Sequence, residues 1–517
     1  MLPLNNMMQC NNMKKVQVVW FKRDLRLEDH AALTAAMKSN KPVLPLYILE
    51  PELWQQPDMS YRQYKFLYES LIELNHNLAS LGQPLIIKIG NAVDILTKLN
   101  QQYNIHELWS HQETWNGWTY ERDKHVLTWT KSNNITWHEL VQNGVIRRLK
   151  DRNGWAAKWY FVMKQPLLPA PTKLIPVNVS SDHLLEAEEL GLKDDACIYR
   201  QAGGRTAGLK LLDSFLYQRG KGYTKEMSSP VTAYQSCSLL SPHIAFGTLS
   251  IREVVHAMQK RQRELMLSPT DETVKWTSAM RSFSARLRWH CHFIQKLEDQ
   301  PQSEFNNLHT AYNELRTKPI NVAYFEAWKD GRTGYPMIDA CMRALKATGW
   351  INFRMRAMLM SFASYHLWLH WREPALHLAR LFVDYEPGIH YSQVQMQSGT
   401  TGINALRIYN PIKQGLDHDP NGTFIKKWIP ELSHMSINYI HAPWRAPSEM
   451  NGYPMPIVDE KIARITAANK IYALRRNMQY KMESKRIMVK HGSRKRISVH
   501  TYKRKKLVQH GQLELPL

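Results

Sequence analysis

Apolar runs of strand length punctuate the first third of the chain: Val16–Phe21 (VQVVWF), Pro42–Leu49 (PVLPLYIL), Pro84–Ile89 (PLIIKI) and Ile105–Ser110 (IHELWS), with Ile135–Leu140 (ITWHEL) as a fifth. Between them, Tyr61–Leu81 and Asn91–Tyr103 repeat apolar positions at helical spacing. Strands separated by helices of that length need crossover connections, which predicts a parallel, doubly wound α/β sheet. The first strand runs into Lys22–His30 (KRDLRLEDH), so the GxGxxG dinucleotide turn is absent.

The pattern loosens from Lys150 to about Ala196, where prolines cluster in QPLLPAPTKLIP and an acidic run, EAEE, follows. This stretch reads as an interdomain connector. From Gly203 to about Arg476 strand signals vanish, and segments rich in Leu, Met, Ala, Trp and Arg predict a large all-α domain. One helix is expected to start near Pro336 and stop at Gly349. The next carries Phe353, Ala357, Met360, Ser364, Leu367 and Trp371 at spacings of four and three, which predicts one continuous buried face. The expected domains are 14–148 (α/β), 149–200 (connector), 201–480 (helical) and 481–517 (basic tail, disordered in isolation).

The 517 residues carry a formal charge of +23. Lys485–Lys506 holds ten Lys/Arg and no acid, yet the rest of the chain also stays positive. A surplus of that size favours polyanions, and nucleic acid is the expected partner. Five cysteines (Cys10, Cys197, Cys237, Cys291, Cys341), with no close pair, exclude a disulfide framework and provide no four-thiolate iron–sulfur set. His290 and His292 are two apart on an expected helix and point to different sides, so no metal site is expected there. No apolar stretch is long enough to span a bilayer, and the first residues lack a signal-peptide core. A monomeric, cytoplasmic protein is expected.

The densest informative cluster is Gly331–Leu432: GRTGYPMIDACMRALKATGW, INFRMRAMLMSF, HWREP and RIYNPIKQGLDHDPNGTFIKKWIPEL. With VVWFKRDLRLEDHAAL (Val18–Leu33) and SLLSPHIAFGTLSIRE (Ser238–Glu253), it resembles the photolyase/cryptochrome family, blue-light flavoproteins that bind FAD in a helical domain. The resemblance runs in order from about Val16 to Arg476.

The resemblance places the FAD phosphates near Tyr223 and Cys237, Ser238, Leu239, Leu240 and Ser241, with Cys237 where the family has Thr. It places Arg356, Asp384 and Glu386 beside the isoalloxazine, and His390 where a residue faces its N5. Arg286 and His290 join that cofactor set. At the lesion pocket, Trp289 matches one aromatic wall. The family's glutamate is Arg286, the second wall is Met396 and a lesion-contacting asparagine is Phe353, with Arg354 alongside. Asn352 stands where enzymes of the (6-4) branch have histidine. Trp371 matches the middle of the family's electron-transfer tryptophans, whereas Val394 and Lys318 replace the other two.

The implied function is blue-light-driven, FAD-dependent repair of pyrimidine lesions in DNA, with a second antenna chromophore on the α/β domain. The alternative is a cryptochrome-like photoreceptor without repair. A nucleic-acid binder that has lost its flavin is a third reading, which a colourless protein would favour.

Overall fold

A computed structural model of the chain describes residues 15–270, 272–316 and 319–492. Its strands are β1 (Val16–Phe21), β2 (Val43–Leu49), β3 (Ile86–Ile89), β4 (Ile105–His111) and β5 (Thr136–Leu140). All pair in parallel, in the order β3-β2-β1-β4-β5. Helices Ala31–Met37, Tyr61–Ser80, Ala92–Tyr103 and Gly117–Ser132 make the crossovers. Their boundaries are chemical: the Asn91 and Asn116 side chains accept N–H bonds at two helix starts, and Asn104 ends one at φ 50°.

Alternate residues of β1 enter two cores. Val16, Val18 and Trp20 pack with Leu44, Leu96 and Val126 on one face, and Val19 and Phe21 pack on the other. That second core runs without interruption into the helical part, through Ile338, Met358, Trp371 and Tyr385. The covered sheet explains its apolar strands.

Helix Tyr61–Ser80 also fixes the loop after helix Arg372–Leu381. Buried Arg62 donates to the carbonyls of Leu345 (3.1 Å) and Leu381 (3.0 Å), and Gln63 to those of Ala379 (2.7 Å) and Phe382 (3.1 Å). Helix-terminal carbonyls otherwise left without partners are thus satisfied from the α/β domain.

Helix Pro336–Thr348 starts on its proline and stops at Gly349, whose φ of 69° suits glycine. No strand occurs after Leu140 among the described residues.

Three expectations need correction. The face from Phe353 to Trp371 is not one helix: an α-helix ends at Ser361, a π-turn covers Phe362–His366, and Trp368 takes φ 52°. Phe353, on the first turn of that helix, is 53% exposed, while Ala357, Met360, Ser364, Leu367 and Trp371 stay buried across the wider turn. The connector contains a helix, Trp155–Lys164, anchored by buried Trp155, Trp159 and Met163. The basic tail is helical as far as His491, because Tyr480 and Ile487 are buried and Glu483 accepts from the Thr310 N–H (2.8 Å) and hydroxyl (2.7 Å). The remaining basic residues, from Arg494 on, lie outside the described residues.

Candidate functional site

Helix Phe353–Ser361 presents Arg356 on its first turn. The Arg356 guanidinium donates through Nη1 and Nη2 to the two carboxylate oxygens of Asp384, at 2.9 and 2.8 Å. Its Nε donates to the Ile351 carbonyl (2.7 Å), and its plane lies 4.1 Å from the Phe382 ring. A two-bond fork of this kind fixes direction as well as charge. Asp384 sits on the loop that Arg62 and Gln63 hold.

The segment Cys237–Ser241 is shaped by Arg219, which sequence reasoning missed. Its guanidinium donates to the carbonyls of Cys237 and Ser238 (the latter 2.9 Å), and Nε donates to Ser214 Oγ (2.9 Å). With those carbonyls engaged and Leu239 at φ 60°, the turn is fixed before Ser241 opens the short helix Ser241–Ala245. Ser238 Oγ accepts from the Leu240 N–H at 3.4 Å. The Cys237 thiol is buried and thereby pushed up to about 12, so it is a neutral, weak donor. Buried Tyr223 lies beside Arg286, and burial raises its phenol well above the usual value. An arginine directly before a glycine and four residues before a tyrosine (RGKGY) was the only signal for Arg219.

Arg286 and Trp289 lie on helix Thr273–Asp299, and Phe353 and Arg354 open helix Phe353–Ser361. Arg286 sits 4.5 Å over the Trp289 ring and 3.9 Å from Met227 Sδ, and the Met227 carbonyl accepts from Asn352 Nδ2 at 3.1 Å. Met227 thus ties helix Thr273–Asp299 to the start of helix Phe353–Ser361. Trp289 (38%) and Phe353 (53%) keep large aromatic faces in solvent. Met396 is half-buried on helix Pro387–Ser398, and Arg354 Nε is buried without a hydrogen-bond partner. Arg288 donates to the Tyr160 hydroxyl (2.5 Å) instead of joining Arg286.

Glu386 and His290 part from this group. Both line a small cavity between the two domains, walled by Arg23, Asp24, His111 and Trp115 among others. These residues follow β1 and β4, the point where the strand order reverses and where open α/β sheets place ligands. Burial raises the Glu386 carboxyl to about 8, against the pull of Arg23, and lowers the His290 imidazole to about 4. Glu386 also caps helix Pro387–Ser398 through Gly388 N–H (3.4 Å).

Asp24, His30 and His111 form the one three-ligand cluster among the described residues. Asp24 Oδ2 lies 2.7 Å from His111 Nδ1 and 3.1 Å from His30 Nε2. His30 Nδ1 already accepts the Leu33 N–H, so its Nε2 carries the proton and faces Asp24. That hydrogen-bonded arrangement does not suit a cation.

His390 is buried, its Nε2 held by the Ala375 carbonyl at 2.9 Å, and burial lowers it to about 4. The neutral ring therefore donates at Nε2 and keeps Nδ1 as an acceptor. Trp371 is buried with Nε1 on Asn307 Oδ1 (2.7 Å), Val394 is a core residue, and Lys318 lies outside the described residues.

This donor set fits a flavin dinucleotide: a fixed guanidinium, an orphaned buried Asn352 Oδ1 and a turn with its carbonyls pinned away.

The comparisons agree with that chemistry. Residues 17–154 match the DNA photolyase family model, and 283–473 the FAD binding domain of DNA photolyase. The chain is 28% identical over 483 residues to the deoxyribodipyrimidine photo-lyase of Vibrio cholerae, covering 87% of this chain and 97% of that protein. It is 30% identical over 491 residues to Cryptochrome-1 of Arabidopsis thaliana, covering 87% and 70%. A bacterial class III photolyase from Agrobacterium tumefaciens superposes with a TM-score of 0.79 at 27% identity, over 91% of this chain and all of that one. An archaeal photolyase from Sulfolobus tokodaii, solved with two FAD molecules, superposes at 0.74 with 26% identity, over 89% and 100%. The fold, the two matched models and the full-length relatives together establish that this chain belongs to the photolyase/cryptochrome family of FAD flavoproteins.

Proposed function

We propose that the protein is a light-driven DNA repair photolyase acting on pyrimidine lesions. The observation that carries this reading is the Arg286–Trp289 pair, with Trp289 and Phe353 exposed, tied through Met227 and Asn352 to the helix that bears Arg356. FAD, when bound and reduced, would supply the light-driven electron chemistry that lesion repair needs. Arg356, oriented by Asp384, would balance negative charge on the ring, and neutral His390 would keep Nδ1 as an acceptor in the same interior. Tyr223, Ser238, Ser241 and the turn pinned by Arg219 are the groups that would hold its phosphates. Exposed Trp289 and Phe353 stack against an extruded base, and Arg286 and Arg354 meet phosphates or base edges. Arg286 in place of a carboxylate removes an acceptor, so lesion binding rests on stacking and charge.

The interdomain cavity is the place for a second chromophore, since Arg23, Trp115, His111 and Glu386 combine a cation, an aromatic face and polar ends at the sheet's switch point. In that reading His290 and Glu386 serve the second ligand.

A non-repairing photoreceptor is the alternative, favoured by Arg286 and Met396 at the lesion-contact positions. Purified protein, reduced and illuminated with blue light, decides between them: restoration of lesion-bearing duplex or single-stranded DNA is expected. Bound FAD without repair of any ultraviolet lesion would replace the photolyase reading with the photoreceptor one.

No helix among the described residues is long and apolar enough to cross a membrane.

A further inference from the structure

A basic cluster gathers at the far end of helix Thr273–Asp299, where three parts of the chain meet. Arg152 comes from the stretch before helix Trp155–Lys164, His292 and Lys296 from the long helix, and Lys490 and His491 from the end of helix Met478–His491. That last helix lies past residue 473, where the match to the FAD binding domain ends. Gln300, which closes the long helix, holds it in place: Gln300 Oε1 accepts from His491 Nε2 (2.9 Å) and Lys490 Nζ (3.4 Å).

Buried Arg152 is paired with Asp299 (Nε to Oδ2, 3.1 Å), and its Nη1 donates to His292 Nδ1 (3.5 Å). An arginine only donates, so the neutral His292 ring carries its proton on Nε2. His491 is 1% exposed, and its Nδ1 has no hydrogen-bond partner. Lys296 has no hydrogen-bond or ion-pair partner among the described residues; its ammonium rests 5.0 Å from the Phe293 ring centroid. Glu298, beside Asp299 in sequence, reaches toward Arg147 instead (4.0 Å). Burial and the neighbouring cations lower His292 and His491 to about 3 each, and burial beside Arg152 lowers Lys296 to about 8. Like charges packed this closely disfavour one another, and a bound anion reverses that cost.

The helix leads from Trp289 to this cluster. Arg286, Trp289, Phe293 and Lys296 follow one another at spacings of three, four and three, which keeps them on one face. Arg286 lies 4.5 Å from the Trp289 ring centroid, and the Trp289 and Phe293 rings are 6.3 Å apart. Rings interleaved with cations suit a nucleic-acid strand, the rings for bases and the charges for the backbone. From Trp289 to Lys296 the helix rises about 10 Å, which a base-stacked strand covers in about three nucleotides. We propose that Arg152, His292, Lys296 and His491 form a phosphate site for a backbone phosphodiester of the bound DNA strand, about three nucleotides from the base at Trp289. The site deepens the DNA-repair reading above and rests on it. Lys296 supplies the charge and His292 Nε2 an N–H, while Arg152 stays fixed on Asp299. Lys490 and His491 bring the last helix into DNA binding, and Gln300 sets where they stand. No base edge is read here, so the site adds affinity without sequence preference.

Binding of the full-length, FAD-loaded protein to lesion-bearing oligonucleotides tests this, each strand carrying one neutral methylphosphonate at a successive position on either side of the lesion. A single substitution about three nucleotides from the lesion, on one side, is expected to weaken binding about fivefold. Lys296→Met keeps the stem on Phe293 and removes the charge. It is expected to weaken binding of the unmodified strand about as much, to make the salt dependence shallower by about one, and to abolish the sensitivity at that position. Lys490→Gln is expected to reduce that sensitivity from the side of the last helix. FAD content and thermal unfolding of each variant report whether it has folded. A scan with no sensitive position at that distance, or one whose sensitivity survives in both variants, overturns the site and leaves the repair reading intact. Inorganic phosphate that stabilises the wild type and not Lys296→Met, with a flat scan, overturns it in favour of a free anion. Protein that binds no DNA overturns the repair reading instead, and the site falls with it.

Discussion

Arg356 and Asp384, on different elements, meet through two parallel hydrogen bonds of 2.9 and 2.8 Å. The Asp384 side chain is almost wholly buried, whereas about a quarter of Arg356 remains open. Removing the acid's charge would leave a guanidinium without its counter-charge in a half-dry site. Asp384→Asn is expected to cost about 2 kcal/mol of stability. The FAD-to-protein ratio of the purified variant should fall with it. Full flavin content at wild-type stability would show that the pair does not serve the ring.

Arg219 acts at one remove. It engages the Cys237 and Ser238 carbonyls and so holds a turn in which Leu239 takes φ 60°. A non-glycine residue rarely stays in that region unless its surroundings insist. Arg219→Met keeps much of the side-chain bulk and loses the donors. The expected outcome is about tenfold weaker FAD affinity at nearly unchanged helix content, measured by flavin titration and circular dichroism.

The sheet was legible because its strands are apolar on both faces, and Pro336 and Gly349 marked their helix correctly. The Arg356–Asp384 pair was legible only through long motifs, since nothing in local spacing ties an arginine to an acid beyond the next helix. Three features were not. The π-turn at Phe362–His366 has no composition signal and shifts register within an otherwise helical pattern. Arg219 serves carbonyls, and carbonyls leave no trace in a sequence. The divergence of Glu386 from Asp384, two residues apart, follows from Glu386 being the residue that caps helix Pro387–Ser398 and turns toward Arg23.

Glu386 gives a pH signature. Burial lifts its folded-state carboxyl from the ordinary 4.5 to about 8. Between those values the folded chain holds a proton that the unfolded chain has lost, so its contribution to stability falls as pH rises and is fully present only below 4.5. Glu386→Gln removes that dependence. Relative to wild type, the variant should gain stability through this window, reaching on the order of 5 kcal/mol at its alkaline end. Denaturant unfolding across the range measures it, and parallel curves would show that Glu386 ionises freely.

Arg286 and Trp289 form a cation–aromatic pair, 4.5 Å apart, on one face of helix Thr273–Asp299. Arg286→Ala should weaken binding to lesion-bearing DNA by about 1–3 kcal/mol if the guanidinium reads a base edge, with a smaller loss on undamaged DNA. Equal losses on both, with a salt slope shallower by about one, would reassign it to a phosphate.

Gly247 marks where the two domains touch. A Cβ there would lie 2.2 Å from the Arg23 carbonyl oxygen and 2.6 Å from Asp24 Cα, and its φ is 68°. Neither contact involves a side chain that can swing aside. The same stretch is stitched across the junction by Leu25 N–H to the Phe246 carbonyl (3.3 Å) and Arg26 Nη1 to the Gly247 carbonyl (2.9 Å). Gly247→Ala must therefore move the Lys22–Arg26 loop, which forms one wall of the interdomain cavity, or unstitch it. The expected cost is about 2–3 kcal/mol, the usual scale for overpacking together with a left-handed alanine. Because Arg356, Asp384 and the Arg219 turn lie outside that wall, FAD content should hold while Trp115, stacked 3.2 Å from the Arg23 guanidinium, shifts its fluorescence. Loss of FAD at unchanged Trp115 emission would mean that the junction supports the flavin side and not the cavity.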